Sequence, residues 1–526
     1  MPSKTSRHIR IPGSYRICDG FSEAIIYFIV IFNPWAFGTT QAWSIWTVNI
    51  ASYGLGFLLF FKWIIKKNTG FHPSRWDEDR GHLSEEEFEG RKKRSRLISR
   101  IALCATGVIW IWCVVSWINA RAEFHFTFDI HQFRFEYFED SISWLPHTYA
   151  KSFTEKAVWE YLGYALFFWA LRDWLLGKTW KEVKGVSRKK SGFRPEPIRQ
   201  KGLPSFIPGL SSRTHRLLWV LCINGALVAL EGVLQRLSGS DKLLWMVQPT
   251  INQLNLAQFG PYAYRSSAAQ FFNLIWPICL GFWWLLFKKA NFDQAGGHRI
   301  GKSPYPILMP CAVLMAAAPI ISTSRGGAVV SVIMMLMSLG ILVLANRGGS
   351  RLAAYSVITI LMAALGMAGY LGWDNLEKRL ERVFDDSMGG REALWDQSKE
   401  IIGDYPYWGT GPKSFGAVYQ LYTQPMRSDA HIQAKQAQAY AHNDWLELVI
   451  SFGLIGSPLF ILLLIYPGLY FLTGTGFFSN WEFPGFIAIS MFGCLFHAIG
   501  DMPFQIHSVA TVFLVAMCVL SCTSRQ

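Results

Sequence analysis

The stretch AYAHNDWLELVISFGLIG, residues 439–456, puts His442, Asn443 and Asp444 at the mouth of a long apolar run. Asp444 followed three residues later by Glu447 has the spacing of a capping box, with aspartate in place of serine or threonine. That reading starts a helix at about Trp445 and leaves His442 just outside its N-terminus. The positive end of a helix dipole disfavours a protonated imidazole. A neutral ring can accept a proton, as a general base must. The plainer alternative is that Asn443 and Asp444 cap the helix and His442 is an interfacial side chain. Two arginines count against it. Arg265, in PYAYRSSAAQ, precedes an apolar run, and Arg325, in IISTSRGGAVV, occupies a tight turn between two such runs. Charge at membrane depth is expensive and points to function. The planar fork of arginine suits phosphate oxygens. Two arginines and a neutral histidine on one face suggest diphosphate binding beside a base.

These residues need elements to hold them on one face. The chain of 526 residues is 51% hydrophobic and only 16% charged, too little charge to cover a soluble surface of this size. Several runs approach the roughly 20 apolar residues that cross a bilayer. The expected fold is an all-α polytopic membrane protein with about 12 transmembrane helices. The spans fall near 21–38, 44–65, 101–119, 157–176, 216–235, 268–287, 305–322, 327–345, 352–372, 445–472, 484–500 and 508–522. The polar residues ahead of the first run make it a span rather than a cleaved leader. Basic residues near the N-terminus (Lys4, Arg7, Arg10, Arg16) put both termini in the cytoplasm.

On that topology the long connections 66–100 and 177–215 are cytoplasmic, and 120–156 and 373–444 face outside. The division is therefore 1–215, N-terminal helices with basic loops; 216–372, core helices carrying the arginines; 373–444, the extracytoplasmic loop; and 445–526, C-terminal helices. RLERVFDD and REALWDQSKEIIGDY in the third segment have helical spacing, and GTGPKSF reads as a Gly/Pro turn. A small helical cap over the outer face is expected.

The net charge of +14 invites a nucleic-acid reading. Yet the basic residues cluster between apolar runs, as in GRKKRSRLISR at 90–100, which the positive-inside rule requires. No nucleic-acid partner is expected, and membrane lipids are. Eight of the nine cysteines lie within or beside apolar runs, so no disulfide framework is read. The acidic stretch that begins at Asp77 belongs to a cytoplasmic loop. Asp385 and Asp386 lie outside and are the better metal candidates, although no metal is required. Arg391 is a third cation or, more simply, a partner in a helix-surface ion pair. Glu231 and Asp501, toward the outer ends of their spans, can line a cavity or pair with an arginine.

AHNDWLELVISFGLIG resembles the signature of the O-antigen ligase and polymerase superfamily: His-Asn, nine residues, Gly, two residues, Gly. Here these are His442-Asn443, residues 444–452, Gly453 and Gly456. STSRGG is similar to the family's Ser-Arg-Gly turn, and GGREALWDQSKEIIGDYPYWGTGPKSF to its outer-loop segment. ALEGVLQRLSG, HAIGDMPFQIHS and FGPY resemble weaker landmarks, so the likeness covers roughly residues 216–515. After FGPY many relatives continue differently from Tyr264-Arg265-Ser266-Ser267, but the charge is kept.

The resemblance implies a metal-independent, cofactor-free membrane glycosyltransferase. Its donor would be a glycan on undecaprenyl diphosphate. Its acceptor would be a lipid, a saccharide or a protein, at the outer face of a bacterial inner membrane. It assigns Arg265 and Arg325 to the diphosphate and His442 to the acceptor hydroxyl; the reading of the residues themselves adds Asn443, Asp444, Arg391 and Glu231 in support. Ligase and repeat-unit polymerase share the motif. A transporter or flippase of lipid-linked glycan is the alternative of another class, and it calls for a polar path through the membrane. Here the polar groups gather on one face.

Overall fold

A computed structural model describes residues 11–80, 83–127, 132–183, 210–295, 304–345, 366, 391–422, 440–474 and 481–524. The N-terminal helices are α1 (Gly13–Trp35), α2 (Ala42–Thr69), α3 (Glu85–Ile118) and α4 (Lys151–Leu176). Next come α5 (Ser212–Ser238), α6 (Arg265–Ala295), α7 (Leu308–Ile321) and α8 (Arg325–Ala345). Two helices, α9 (Arg391–Asp404) and α10 (Phe415–Tyr422), fall in the 373–444 connection. The chain ends with α11 (Asp444–Leu472), α12 (Glu482–His497) and α13 (His507–Thr523). Helices thus stand at every expected span except 352–372, which lies outside the described residues.

Seven of these helices are long and apolar enough to cross a membrane: α1, α2, α3, α5, α6, α8 and α11. The apolar helices at α7, α12 and α13 are shorter. Charged side chains within α4 (Glu155, Lys156, Glu160, Arg172, Asp173) set it apart from the others.

The helix boundaries depart from the expected ones where charge extends a helix beyond its apolar part. The basic segment 90–100 is read from sequence as a loop, but it belongs to α3. Ser84 caps that helix: its hydroxyl accepts from the Glu87 N–H at 3.2 Å, and the Glu87 carboxylate accepts the Ser84 N–H at 2.9 Å. Hydropathy cannot see this start, because a capping box and three glutamates are all polar.

A second departure is a two-stranded antiparallel hairpin in the 120–156 connection, β1 (Ala122–Thr127) and β2 (Gln132–Tyr137). Phe124 opposes Phe135 and Phe126 opposes Phe133, so the aromatics share one face. Period-two alternation in EFHFT and QFRFEY carried that signal.

α6 is the central element. It is apolar on all sides, with Phe271, Phe272, Trp276 and Phe282 fully buried. Such a helix belongs in the middle of a bundle, and α5, α7, α8, α12 and α13 pack around it. At one end of the bundle lie the first turns of α6, α8, α11 and α13 and the last turn of α12. At the other end lie the start of α1 and the end of α2, tied by the Lys62–Asp19 ion pair at 2.9 Å.

Candidate functional site

The first turns of four helices build the site. α11 begins at Asp444, and Asn443 is its N-cap, accepting the Leu446 N–H at 3.0 Å. This corrects the expected capping box by one residue. Asp444 does not cap; its carboxylate accepts the Phe504 N–H at 2.8 Å and so fastens α11 to the α12–α13 connection. Glu447 reaches back to the Ala441 N–H at 3.0 Å. With both neighbours committed, the chain turns at His442, which takes a left-handed φ of 49°. That conformation is uncommon for a residue with a Cβ and is found where surrounding contacts over-determine the backbone.

His442 Nδ1 lies 3.3 Å from Asp501 Oδ1. The other Asp501 oxygen accepts from the Ser266 hydroxyl and lies 3.9 Å from His497 Nε2. Ser266 in turn receives the Ser324 hydroxyl at 3.4 Å. Ser266 directly follows Arg265 and Ser324 directly precedes Arg325, so the histidine and the backbones of both arginines meet around one carboxylate. Burial alone would raise the Asp501 pKa. The hydrogen bond from His442 and the charges of His497 and Arg391 outweigh it and hold the carboxyl down at about 2. An ionised carboxylate on Nδ1 selects the tautomer with Nδ1 protonated and leaves Nε2 with a free lone pair.

The arginines occupy equivalent places on their helices. Arg265 is the first residue of α6 and Arg325 the first of α8. Both are half-buried. Arg265 donates to the Leu256 carbonyl at 2.7 Å. Arg325 makes no ion pair with another described residue. Helix first turns carry unused N–H groups and positive potential, so each arginine adds to a field already suited to an anion. The two glycines after Arg325 let α8 start this close to its neighbours. A Cβ on Gly327 would lie 2.3 Å from that of Ala269, and one on Gly326 would lie 3.1 Å from His497 Nε2.

Among the described residues Arg391 forms no helix-surface ion pair. It opens α9 and donates to the Gly500 carbonyl, next to Asp501. It also bonds the hydroxyl of Tyr264, whose pKa is pushed up to about 12, by burial first and by Asp501 second. The 373–444 connection therefore contributes a cation to the same cluster.

Glu231 is elsewhere. It is 9% exposed, and neither carboxylate oxygen has a hydrogen-bond partner among the described residues. Packing explains the fit, since a Cβ on Gly260 would lie 2.7 Å from its Oε2. Of the two roles read from the sequence, pairing with an arginine is not formed among the described residues. Asp385 and Asp386 lie outside the described residues.

One glycine of the signature also finds a physical reason. α11 is broken at Gly453, with φ 63° and ψ −174°. Into that break lies the backbone of residues 406–411: Thr410 N–H donates to the Ile450 carbonyl at 2.7 Å, and Leu454 N–H to the Pro406 carbonyl at 2.8 Å. A Cβ on Gly453 would lie 2.1 Å from the Tyr407 carbonyl oxygen. Gly409 and Gly411, with φ of 72° and 104°, shape the expected turn. Below it, Leu394, Ile401, Phe415 and Val418 pack with Ile450 into a small core. The connection is thus fastened to the helix that His442 precedes.

Sequence reasoning did not single out Ser266, Ser324 or His497. Only the i, i+4 spacing of His497 and Asp501 hinted at a pair, and that spacing recurs on any helix.

Residues 310–461 match a family model described as O-Antigen ligase. The match runs from α7 through α8 and the 373–444 connection into α11, and supports the superfamily resemblance drawn from the sequence. It includes Arg325, Arg391 and His442, and leaves Arg265 and Asp501 outside. No curated protein matches the chain.

Proposed function

We propose that this chain is a membrane glycosyltransferase that moves a glycan from undecaprenyl diphosphate to an acceptor hydroxyl, as an O-antigen ligase does. The acceptor is carried by a lipid, a saccharide or a protein, and the chain serves surface or exopolysaccharide assembly. The observation that carries the reading is the approach of His442 to Asp501, on a carboxylate that also gathers Ser266 and, through it, Ser324. The reaction sits at the His442 end of the bundle, and we place that end outside, because basic segments such as 90–100 lie toward the other.

The chemistry follows from these groups. Asp501 orients the imidazole, and Nε2 takes the proton of the acceptor hydroxyl. The hydroxyl oxygen forms its bond to the anomeric carbon as the bond from that carbon to the diphosphate breaks. The electron pair leaves with the diphosphate, whose growing charge meets Arg265, Arg325 and two helix N-termini. A single in-line displacement inverts the anomeric centre and needs no enzyme carboxylate as nucleophile. The arginines supply the positive charge at the leaving group, so transfer by purified protein is expected to survive EDTA. Restoration of a lost rate by Mg²⁺ or Mn²⁺ would overturn that point.

Repeat-unit polymerisation uses the same steps with a different acceptor. Glycan analysis of a deletion strain separates the readings. Loss of long-chain lipid-linked polymer with intact donor marks a ligase, and short unpolymerised repeats mark a polymerase. Donor trapped on the cytoplasmic face marks a flippase and sinks the enzyme reading.

A further inference from the structure

Behind the start of α11 lies a cavity of ≈ 250 Å³, walled by α3, α4, α11 and α13. His442, Arg265 and Arg325 are not among its lining residues. Its two ends differ chemically. Glu160, Lys413, Asp444, Glu447 and Gln505 line one end, near the first turns of α11 and α13. Phe168, Leu464, Leu514 and Met517 line the rest, deeper in the bundle. Its volume exceeds the 150 Å³ or so of a cavity that takes benzene and falls short of the roughly 300–1,000 Å³ of pockets for drug-sized ligands. One chain fits; a bulky multi-chain lipid does not.

The polar end decides the head group. It holds three carboxyl groups and one ammonium, and Lys413 is already paired with Glu160. Glu447 is only 4% exposed; Oε2 takes the Ala441 N–H, and Oε1 has no hydrogen bond to another described residue. An oxygen at the wall of a largely apolar cavity is stabilised by a hydroxyl that reaches it. The one ammonium is committed to Glu160, so a phosphate would find no free cation among the lining residues. Hydroxyl groups bring donors.

We infer that the cavity holds one alkyl chain of an amphiphile whose head is uncharged and hydroxylated, with the chain against Phe168 and Met517 and the hydroxyls against Glu447 and Glu160. Resting on the proposed function, this amphiphile is the lipid acceptor: its head reaches Asp444, two residues from the base. The donor diphosphate, which needs cations, stays on the arginine side.

The test uses full-length protein in nanodiscs and a dodecyl maltoside carrying a diazirine in its tail. Photolabelled peptides are mapped by mass spectrometry. Label is expected within α4 and α13, displaced by unlabelled dodecyl maltoside and spared by dodecyl phosphate at equal concentration. Ala510→Phe fills the cavity from α13 and Ala165→Phe from α4, and each is expected to weaken labelling about tenfold or more. The second variant guards against misfolding of the first. Equal displacement by dodecyl phosphate overturns the inference. So does label spread over the exposed face of α2, at Phe57 and Phe60, that ignores both variants. If labelling behaves as expected but both filled variants keep full transfer to a lipid acceptor, the acceptor assignment is overturned. If His442→Ala keeps its transfer rate, the proposed function falls, whatever the labelling shows.

Discussion

The two ends of the helix bundle treat their cations differently. At the end formed by the start of α1 and the end of α2, positive groups are matched with carboxylates. Lys62, 2% exposed, pairs with Asp19 at 2.9 Å, Arg213 joins the same aspartate, and Arg75 reaches Asp173 at 2.6 Å. At the His442 end, Arg325 has no carboxylate partner among the described residues, Arg391 donates to a carbonyl, and the well-placed carboxylate, Asp501, is given to histidines and a serine. Pairing charges off holds helices together. Leaving arginines for an incoming anion prepares a site and forgoes that stabilisation. The contrast predicts that the same kind of substitution will cost stability at one end and rate at the other.

The largest effect is expected at Arg325. Arg325→Ala should lower glycan transfer by about 10³-fold or more, the scale of an arginine that meets charge on a departing phosphate. Its melting temperature should barely move, because no ion pair is lost. Arg325→Lys should recover little, since an ammonium lacks the bidentate fork. A variant with wild-type transfer would remove the diphosphate role and erase the contrast between the ends.

His442→Ala should slow transfer by about 10²–10⁴, the range for a lost general base, with donor binding nearly unchanged. Asp501→Asn should lower the rate while His442 remains in place, because an amide no longer selects the tautomer. The Asp501 carboxyl is depressed, so what it contributes is fully present above the ordinary carboxylate value near 3.8. That contribution is lost as the pH falls through about 2. Between pH 5 and 8 its ionisation is therefore constant. An acid limb of the wild-type pH–rate profile that vanishes in Asp501→Asn through a simple carboxylate titration near pH 5 would contradict this assignment.

At the opposite end Asp19→Ala should act on stability. It strands Arg213 and leaves Lys62 only Asp173 at 3.9 Å, and breaking a buried pair costs about 3–5 kcal/mol; Asp19 is 18% exposed, which favours the low end. The readout is the melting temperature in detergent alongside the transfer rate of the fraction that folds. Full stability with lost transfer would mean that this end also belongs to the chemistry.

How much of this was legible beforehand follows from what each feature depends on. The helices were, because an apolar run of membrane length is a local property. The start of α3 was not, since polar capping hides it from hydropathy. The hairpin was overlooked although Phe124, Phe126, Phe133 and Phe135 alternate in plain view, because the connection was read for composition rather than period. His442, Arg265 and Arg325 were singled out by residue type and by resemblance. Asp501 was noticed as a residue that lines a cavity or pairs with an arginine, and its approach to His442 was not read: the two lie 59 positions apart, and nothing local encodes which charge it meets. Gly453 was found as a motif letter. Its reason, a foreign backbone lying 2.1 Å from where a Cβ would stand, exists only in three dimensions.

The smallest effect sharpens the comparison within one turn of helix. Asn443 caps α11 through the Leu446 N–H, so Asn443→Ala should cost about 1 kcal/mol, as lost caps do. Asp444 does not cap, yet its carboxylate holds the Phe504 N–H from a buried position, 8% exposed. Asp444→Ala leaves that donor unsatisfied, which costs about 1–3 kcal/mol. Melting temperatures should therefore fall in the order Asp444→Ala below Asn443→Ala, with His442→Ala nearest to wild type. Transfer rates should run differently, with His442→Ala slowest by far. Opposite rankings in the two measurements are what separate a base from the residues that position it. A single shared ranking, with His442→Ala losing stability and keeping its rate, would make the histidine one more structural group at the mouth of α11.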